Sequence, residues 1–338
     1  MSWIVRPGRR GDLDALFDMA SRTGGGFTNL PPDRGALASK LERSAAAFSR
    51  TDDFPDDELY VLILENLETG AVRGTAQIFS RIGVKWPFYS YKLTALSQFS
   101  KELGRTFRAD TLNLVTDFDG ASEVGGLFLD PDERAGGLGR LLARSRYMFI
   151  AMHRARFAER VISELRGRVE PDGSAPFWDG LAGKFFGMPF SEADRFNSLH
   201  GNQFIADLMP KHAVYVALLP DTAQAVIGEP HASGRTAMRM LEAEGFRYDG
   251  YVDIFDGGPT MAAATDQIAT VRQARPAPLA GICDMADAQS RLAAAGHLSD
   301  FRATMISGAT QQGGFCMDET SARALRVGIG DEFWHVAA

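Results

Sequence analysis

The chain has 338 residues, 45% apolar and 23% charged, with a formal net charge of −7. That length suits two packed lobes or one domain with an appendage, and the composition excludes a disordered chain. The acidic balance argues against a general nucleic-acid or anionic-membrane surface, though not against a local basic pocket for a polyanionic ligand. In chain order, Trp3 to Arg6 reads as a strand. Gly11 to Arg22 reads as an amphipathic helix with Leu13, Leu16, Phe17 and Ala20 on one face, stopped by Gly24-Gly25-Gly26. A second helix is expected from Asp33 to Phe48, then an acidic turn-rich loop from Thr51 to Asp57. Leu59 to Leu64 is a near-continuous apolar run, as in a buried strand. Thr69-Gly70 turns it into a second strand from Val72 to Ser80. Thr111 to Thr116 and Val124 to Leu129 are further strands, and the aromatic segment from Trp86 to Lys101 before them has no clear pattern.

Leu138 to Phe157 reads as the longest helix, and Val161 to Val169 as a strand. Ser174 to Phe190 is aromatic-rich. Ser191 with Asp194 looks like a capping box opening another helix. Ser233 to Glu244 reads as a helix ended by Gly245, and Tyr251 to Phe255 as a strand. From about Ala274 the texture changes. Pro276 and Pro278 mark a linker, and Leu325 to Trp334 reads as a hairpin. Residues 1–273 are therefore expected to form the catalytic region, and residues 274–338 a small C-terminal subdomain. Cys283 and Cys316 have no metal-ligand spacing, and no disulfide framework is expected. No signal peptide is visible and no apolar run approaches the roughly 20 residues of a membrane span, so the expectation is a cytoplasmic protein with no membrane partner.

The informative segment runs from Leu127 to Leu142, strand to loop to helix. Gly136, Gly137 and Gly139 let backbone approach a bulky ligand, and a helix starting at Leu138 offers unpaired N–H groups and a positive dipole end. Together these suit a pyrophosphate. The glycine order does not match a dinucleotide fingerprint, and the lysine of a Walker loop is absent. Arg134, Gly137 and Gly139 do match Arg/Gln-x-x-Gly-x-Gly/Ala. Arg140, Arg144 and Arg146 follow on the helix. All three are candidates for reaching a ligand's phosphates, and a solvated face is the expectation for at least two of them.

That loop resembles the GCN5-related N-acetyltransferase superfamily. The longer strings Ile4-Val5-Arg6-Pro7, Trp86-Pro87-Phe88-Tyr89-Ser90-Tyr91, Val226-Ile227-Gly228-Glu229-Pro230-His231 and Tyr251-Val252-Asp253-Ile254-Phe255-Asp256-Gly257-Gly258-Pro259 resemble the arginine N-succinyltransferase family, over roughly residues 3 to 275. The resemblance implies an α/β (α+β) fold, with a mixed, mainly antiparallel sheet flanked by helices and a small β-rich C-terminal subdomain. It implies succinyl-CoA as acyl donor, the α-amine of L-arginine as acceptor, and no tightly bound cofactor or metal. It implies that the pyrophosphate sits on the loop formed by Arg134, Gly136, Gly137, Leu138, Gly139 and Arg140, that Leu127 contacts the donor, and that His231 is the proton donor. The Gly125-Gly126 pair departs from the family pattern, which has bulkier residues there.

Chemistry orders the remaining candidates. An amine attacks a thioester directly, so the site needs a proton acceptor for the amine, a donor for the leaving thiolate and donors for the oxyanion. A guanidinium calls for carboxylates, for which Asp117, Glu123, Asp253 and Asp256 are candidates. The succinyl carboxylate calls for a cation, for which Arg166 and Lys211 are candidates. His212 is a second histidine candidate, with packing the favoured role. The alternatives are the same fold acylating ornithine or another amine, an assembly with itself or a related chain, and a catalytically silent CoA-binding subunit.

Overall fold

The computed structural model describes residues 3–23, 29–134, 136–200, 203–283 and 289–338. The Gly24-Gly25-Gly26 stop lies outside these residues. The strands are β1 Trp3–Pro7, β2 Leu59–Asn66, β3 Val72–Phe79, β4 Ser90–Ser100, β5 Arg105–Val115, β6 Ser122–Leu129, β7 Arg160–Glu164 and β8 Val214–Tyr215. They continue with β9 Arg247–Val252, β10 Pro259–Ala264, β11 Arg275–Ile282, β12 Gln289–Ala295, β13 Arg302–Gln311, β14 Gly314–Met317 and β15 Glu332–Ala337. The helices are α1 Leu13–Ser21, α2 Arg34–Ser49, α3 Leu138–Met152, α4 Pro176–Gly180, α5 Gly183–Phe186 and α6 Phe190–His200. They end with α7 Gln203–Leu208, α8 Asp221–Gln224, α9 Arg235–Ala243, α10 Ala269–Gln273 and α11 Glu319–Leu325. Among the described residues, no helix is long and apolar enough to cross a membrane.

The strands form one mixed, mainly antiparallel sheet in the order β12-β15-β11-β14-β13-β1-β2-β3-β6-β7-β10-β9-β4-β5-β8. Strand β2 shows why it holds two layers. Leu59, Val61 and Ile63 pack with Leu16, Leu37 and Leu41 of α1 and α2. The alternate residues Leu62 and Leu64 join the core containing Leu141 and Leu142 of α3. A strand with both faces covered must be apolar throughout, which is why this run lacks alternation. Helix α3 is buried from Leu141 through Ile150 because β3 and β6, β12 and β13 from a later part of the same sheet, and α10 all pack against it. A second core, rich in aromatics, lies under β4, β5 and β9, where Trp178 stacks on Phe255 at 5.7 Å.

Several expectations need correction. The segment from Trp86 contains β4, which pairs with β5 along eleven residues. Helix α3 ends at Met152, not Phe157, and α2 is shifted by one residue, with Asp33 as its N-cap and Ser49 as its last residue. Arg144 and Arg146 lie buried, not on a solvated face; Arg144 bonds Thr270 (3.0 Å) and pairs with Glu244 (3.1 Å). Strand β7 ends at Glu164, and β9 begins at Arg247 and ends at Val252. Ser191 is inside α6, whose first amides reach the Pro189 carbonyl, so it caps nothing. Pro276 and Pro278 belong to β11. Leu279 donates its N–H to Asp331 on the β15 side, so by the two-residue period both prolines turn their missing N–H away from β15. That edge is unpaired until β14 joins at Leu279. Leu325 to Trp334 is no hairpin. It is the end of α11, capped by Arg326 at φ 61°, followed by β15 between β11 and β12. Cys283 and Cys316 form a disulfide, where none was expected.

Candidate active site

Strands β6 and β7 are parallel neighbours paired at Ser122–Val161 and Glu123–Ile162. Beyond that point they part. A cavity of about 240 Å³ opens between Gly125 and Gly126 on one side and Glu164, Leu165 and Arg166 on the other. The β6 side carries a bulge. Thr75 and Gln77 of β3 face Phe128 and Gly125, so β6 spends one residue more than β3 over this interval. Gly126 takes φ 56° there, and a Cβ on it would fall 2.8 Å from Gln77 Cδ. Glycine is therefore required twice over, by backbone and by space. Leu127 follows the bulge, half-buried against the α3 core.

At the far end of β6 the chain enters the glycine loop. Buried Asp130 accepts the Asp132 amide and pairs with Arg22 and Arg73. Burial acts to raise its pKa, but the Asp132 amide and both arginines outweigh that and hold it below the usual carboxylate range. Gly136 and Gly137 have φ 74° and 81°, and a Cβ on either would meet nothing within 4 Å. A Cβ on Gly139 would make only ordinary contact with Leu129, at 3.7 Å. Packing thus requires none of the three glycines. Gly137 is the N-cap of α3 and supplies no side chain, so the first amides, Leu138, Gly139 and Arg140, are open to an anion. Arg134 and Arg140 are exposed beside them.

The cavity is strongly acidic. Glu123, Glu164, Asp194, Asp253 and Asp256 all line it. Burial raises the Glu123 carboxyl to about 7, opposed by Asn29 and Lys40. Burial, with Asp253, Glu123 and Asp256 nearby, raises Glu164 well above the usual carboxylate range, and its Oε1 is buried with no hydrogen-bond partner among the described residues. Asp256 is raised to about 8 by burial and Asp253. Asp253 and Asp256 also hold the wall. Asp253 Oδ1 accepts the amides of Phe255 (2.7 Å) and Asp256 (2.9 Å). Asp256 accepts those of Gly167 (2.7 Å) and Gly258 (2.9 Å). Backbone meets backbone here: a Cβ on Gly258 would fall 2.1 Å from the Leu165 carbonyl oxygen.

His231 stands just outside the lining residues. Its N–H donates to the Arg166 carbonyl at 2.8 Å, which ties it to the end of β7. Its Nδ1 lies 2.7 Å from Ser233 Oγ and accepts the Ser233 N–H at 3.2 Å. Burial and the Arg166 charge lower its pKa. Of the guanidinium candidates, Glu123, Asp253 and Asp256 converge on the cavity, while Asp117 is exposed and accepts from Tyr251 Oη at 2.8 Å. Arg166 lines the cavity; Lys211 and His212 are exposed in the turn after α7. Of the aromatics in the two aromatic-rich segments, Tyr91 and Trp178 lie in the core, Phe88 and Tyr89 line the cavity, and Trp86 is 59% exposed. Sequence reasoning missed Glu164, though a lone carboxylate inside the apolar run Val161 to Leu165 was a usable signal. It also read Asp194 as a cap.

The family model described as arginine N-succinyltransferase beta subunit matches residues 3–270. A second model, for the C-terminal domain of the same beta subunit, matches residues 277–337. The arginine N-succinyltransferase of Citrobacter koseri is 44% identical over 273 residues, covering 80% of this chain and 79% of its own. That of Salmonella schwarzengrund is 40% identical over 330 residues, covering 97% and 95%. The solved structure of arginine/ornithine succinyltransferase subunit AI from Pseudomonas aeruginosa superposes with a TM-score of 0.91 at 30% identity, covering 99% of this chain and 98% of that one.

Proposed function

The chain belongs to the arginine N-succinyltransferase family, and from that premise we propose that it moves the succinyl group of succinyl-CoA to the α-amine of L-arginine. The observation that carries this reading is the fork between β6 and β7. An anion-binding loop lies beyond one arm, and an acidic cavity sits between the two. A polyanionic donor is held outside, and an acceptor of net positive charge, with a guanidinium and an α-ammonium against one carboxylate, is drawn inside.

In this reading the pyrophosphate rests on the amides of Leu138, Gly139 and Arg140, with Gly136 and Gly137 giving it room and Arg134 and Arg140 adding charge. The pantetheine arm follows β6 past Leu127 to the bulge. Glu164 and the Asp253–Asp256 turn receive the guanidinium. Glu123, held near neutral pKa by burial, takes the proton from the α-ammonium. The free amine attacks the thioester carbon: a C–N bond forms and an oxyanion appears, the nitrogen loses its second proton to solvent, then the C–S bond breaks. His231 returns a proton to the thiolate. When the ring is neutral, Nδ1 accepts from Ser233 and the proton sits on Nε2; when it is charged, Nδ1–H has Ser233 Oγ to donate to. Giving up the Nε2 proton leaves Nδ1–H, which Ser233 Oγ accepts. The lowered pKa makes the charged ring a stronger acid.

Thiol release from succinyl-CoA, measured with arginine, ornithine and spermidine and repeated with acetyl-CoA, tests the reading. Fastest release with succinyl-CoA and arginine supports it. The Pseudomonas aeruginosa relative is named for both arginine and ornithine and as a subunit, which favours a second reading: ornithine as an acceptor, in an assembly with itself or a related chain. Both readings place the enzyme in the cytoplasm, where acyl-CoA is available. A chain that binds CoA and acylates no amine would refute both and leave a silent subunit.

A further inference from the structure

The acyl chain of the donor ends in a carboxylate, yet the cavity it would enter is lined by five acidic side chains. Unless a cation meets it, that carboxylate is repelled and left desolvated.

Arg166 is the one cation among the described lining residues. Five carboxylates share the cavity with it, and its Nε is nevertheless buried with no hydrogen-bond partner among the described residues. An arginine kept as a counter-charge for the wall would bond one of those carboxylates. This one keeps a buried donor open, at a cost in free energy that a bound acceptor removes. A planar guanidinium fits a carboxylate best, since two of its N–H groups meet two oxygens.

The backbone around Arg166 is fixed. The Leu165 N–H donates to the Pro259 carbonyl at 3.1 Å, and the Arg166 carbonyl accepts the His231 N–H at 2.8 Å. The Gly167 N–H donates to Asp256 at 2.7 Å. None of these bonds uses the Arg166 side chain, so the cation is presented from a rigid wall that a substitution there leaves in place.

Two carboxylates compete for the guanidinium, the one at the end of the acyl chain and the one on the acceptor. Position favours the first. Arg166 stands on the β7 arm beside His231, whose pKa is lowered by burial and then by the Arg166 charge. His231 protonates the sulfur in the reading above, so Arg166 lies on the sulfur's side, where the acyl chain begins. The acceptor's carboxylate shares its carbon with the amine that Glu123 deprotonates, and Glu123 belongs to β6, the other arm.

We propose that Arg166 receives the distal carboxylate of the acyl chain and so selects succinyl over uncharged acyl groups. The inference rests on the donor reading given above. Its test is kcat/KM for succinyl-CoA, butyryl-CoA and acetyl-CoA in the wild type and in R166M, R166Q and R166K, with arginine and with agmatine as acceptors. Butyryl-CoA has the same four-carbon length without the charge, and agmatine is arginine without its carboxylate. The expected result in R166M and R166Q is a loss of about a hundredfold with succinyl-CoA, whichever acceptor is used, and little change with butyryl-CoA and acetyl-CoA. R166K should recover part of the loss. A wild type with no preference for succinyl-CoA overturns the donor reading and this inference with it. A wild-type preference that survives in R166M and R166Q overturns this inference alone. Equal losses with all three donors also overturn it. Seen with arginine but not with agmatine, they assign Arg166 to the acceptor's carboxylate; seen with both, they make it a support for His231.

Discussion

Replacing Glu123 with glutamine removes one charge from the cavity and leaves its volume nearly unchanged, and the consequences for stability and rate have opposite signs. Burial holds the folded carboxyl near 7 against an ordinary 4.5. In the unfolded chain it ionises from about 4.5; in the folded chain only from about 7. Between these values unfolding releases a proton, so this group's contribution to stability is full below 4.5 and falls as pH rises through 7. The gap corresponds to at most about 3 kcal/mol above pH 7. Glu123→Gln should therefore be more stable than wild type at pH 8, by a few degrees in Tm, and nearly equal to it at pH 4.5. Turnover should move the other way, falling about 10²- to 10⁴-fold with loss of a proton acceptor. The wild-type rate should rise with pH up to about 7, and the variant should lack that limb. Thermal melts at pH 4.5 and 8, with kcat/KM profiles for arginine, measure both arms. A variant that is less stable at pH 8 and keeps its rate would refute the reasoning.

His231→Ala should lower turnover by roughly 10²- to 10⁴-fold with an unchanged melting temperature; near-normal turnover would remove it from the mechanism. Gly137→Ala forces a side chain to φ 81° beside the loop amides. KM for succinyl-CoA should rise while KM for arginine stays within about twofold, as initial-rate kinetics would show. Gly258→Ala would put its Cβ 2.1 Å from the Leu165 carbonyl oxygen. The two backbones must separate, so the variant should lose about 1–3 kcal/mol or more in denaturant titration and bind arginine poorly.

The elements around the donor were legible because their causes are local. A glycine loop between strand and helix and a buried apolar run each carry their reason within a few residues. Where neighbours decide, local reading failed. Pro276 looks like a linker residue until an unpaired strand edge makes it acceptable. Ser191 and Asp194 have the spacing of a capping box, but α6 begins earlier and Asp194 lines the cavity. Arg144 looks like a solvated cation until Glu244, one hundred residues on, is found against it.

The acceptor side shows the same limit more sharply. Glu123, Glu164 and Asp253 come from β6, β7 and the turn after β9, and nothing in the local sequence of any one announces the other two. What joins them is the parting of β6 from β7, which itself depends on β7 taking β10 as its other partner. The carboxylates hold raised pKa values because the fold crowds them together out of water, at a cost to stability. Packing alone would favour apolar side chains at these positions. A cationic guest relieves that strain, since one guanidinium satisfies two carboxylates and offsets their repulsion. The same crowding would repel the acyl carboxylate. A cavity built for arginine can therefore take a succinyl donor only if a cation meets that carboxylate, and Arg166 lines the cavity.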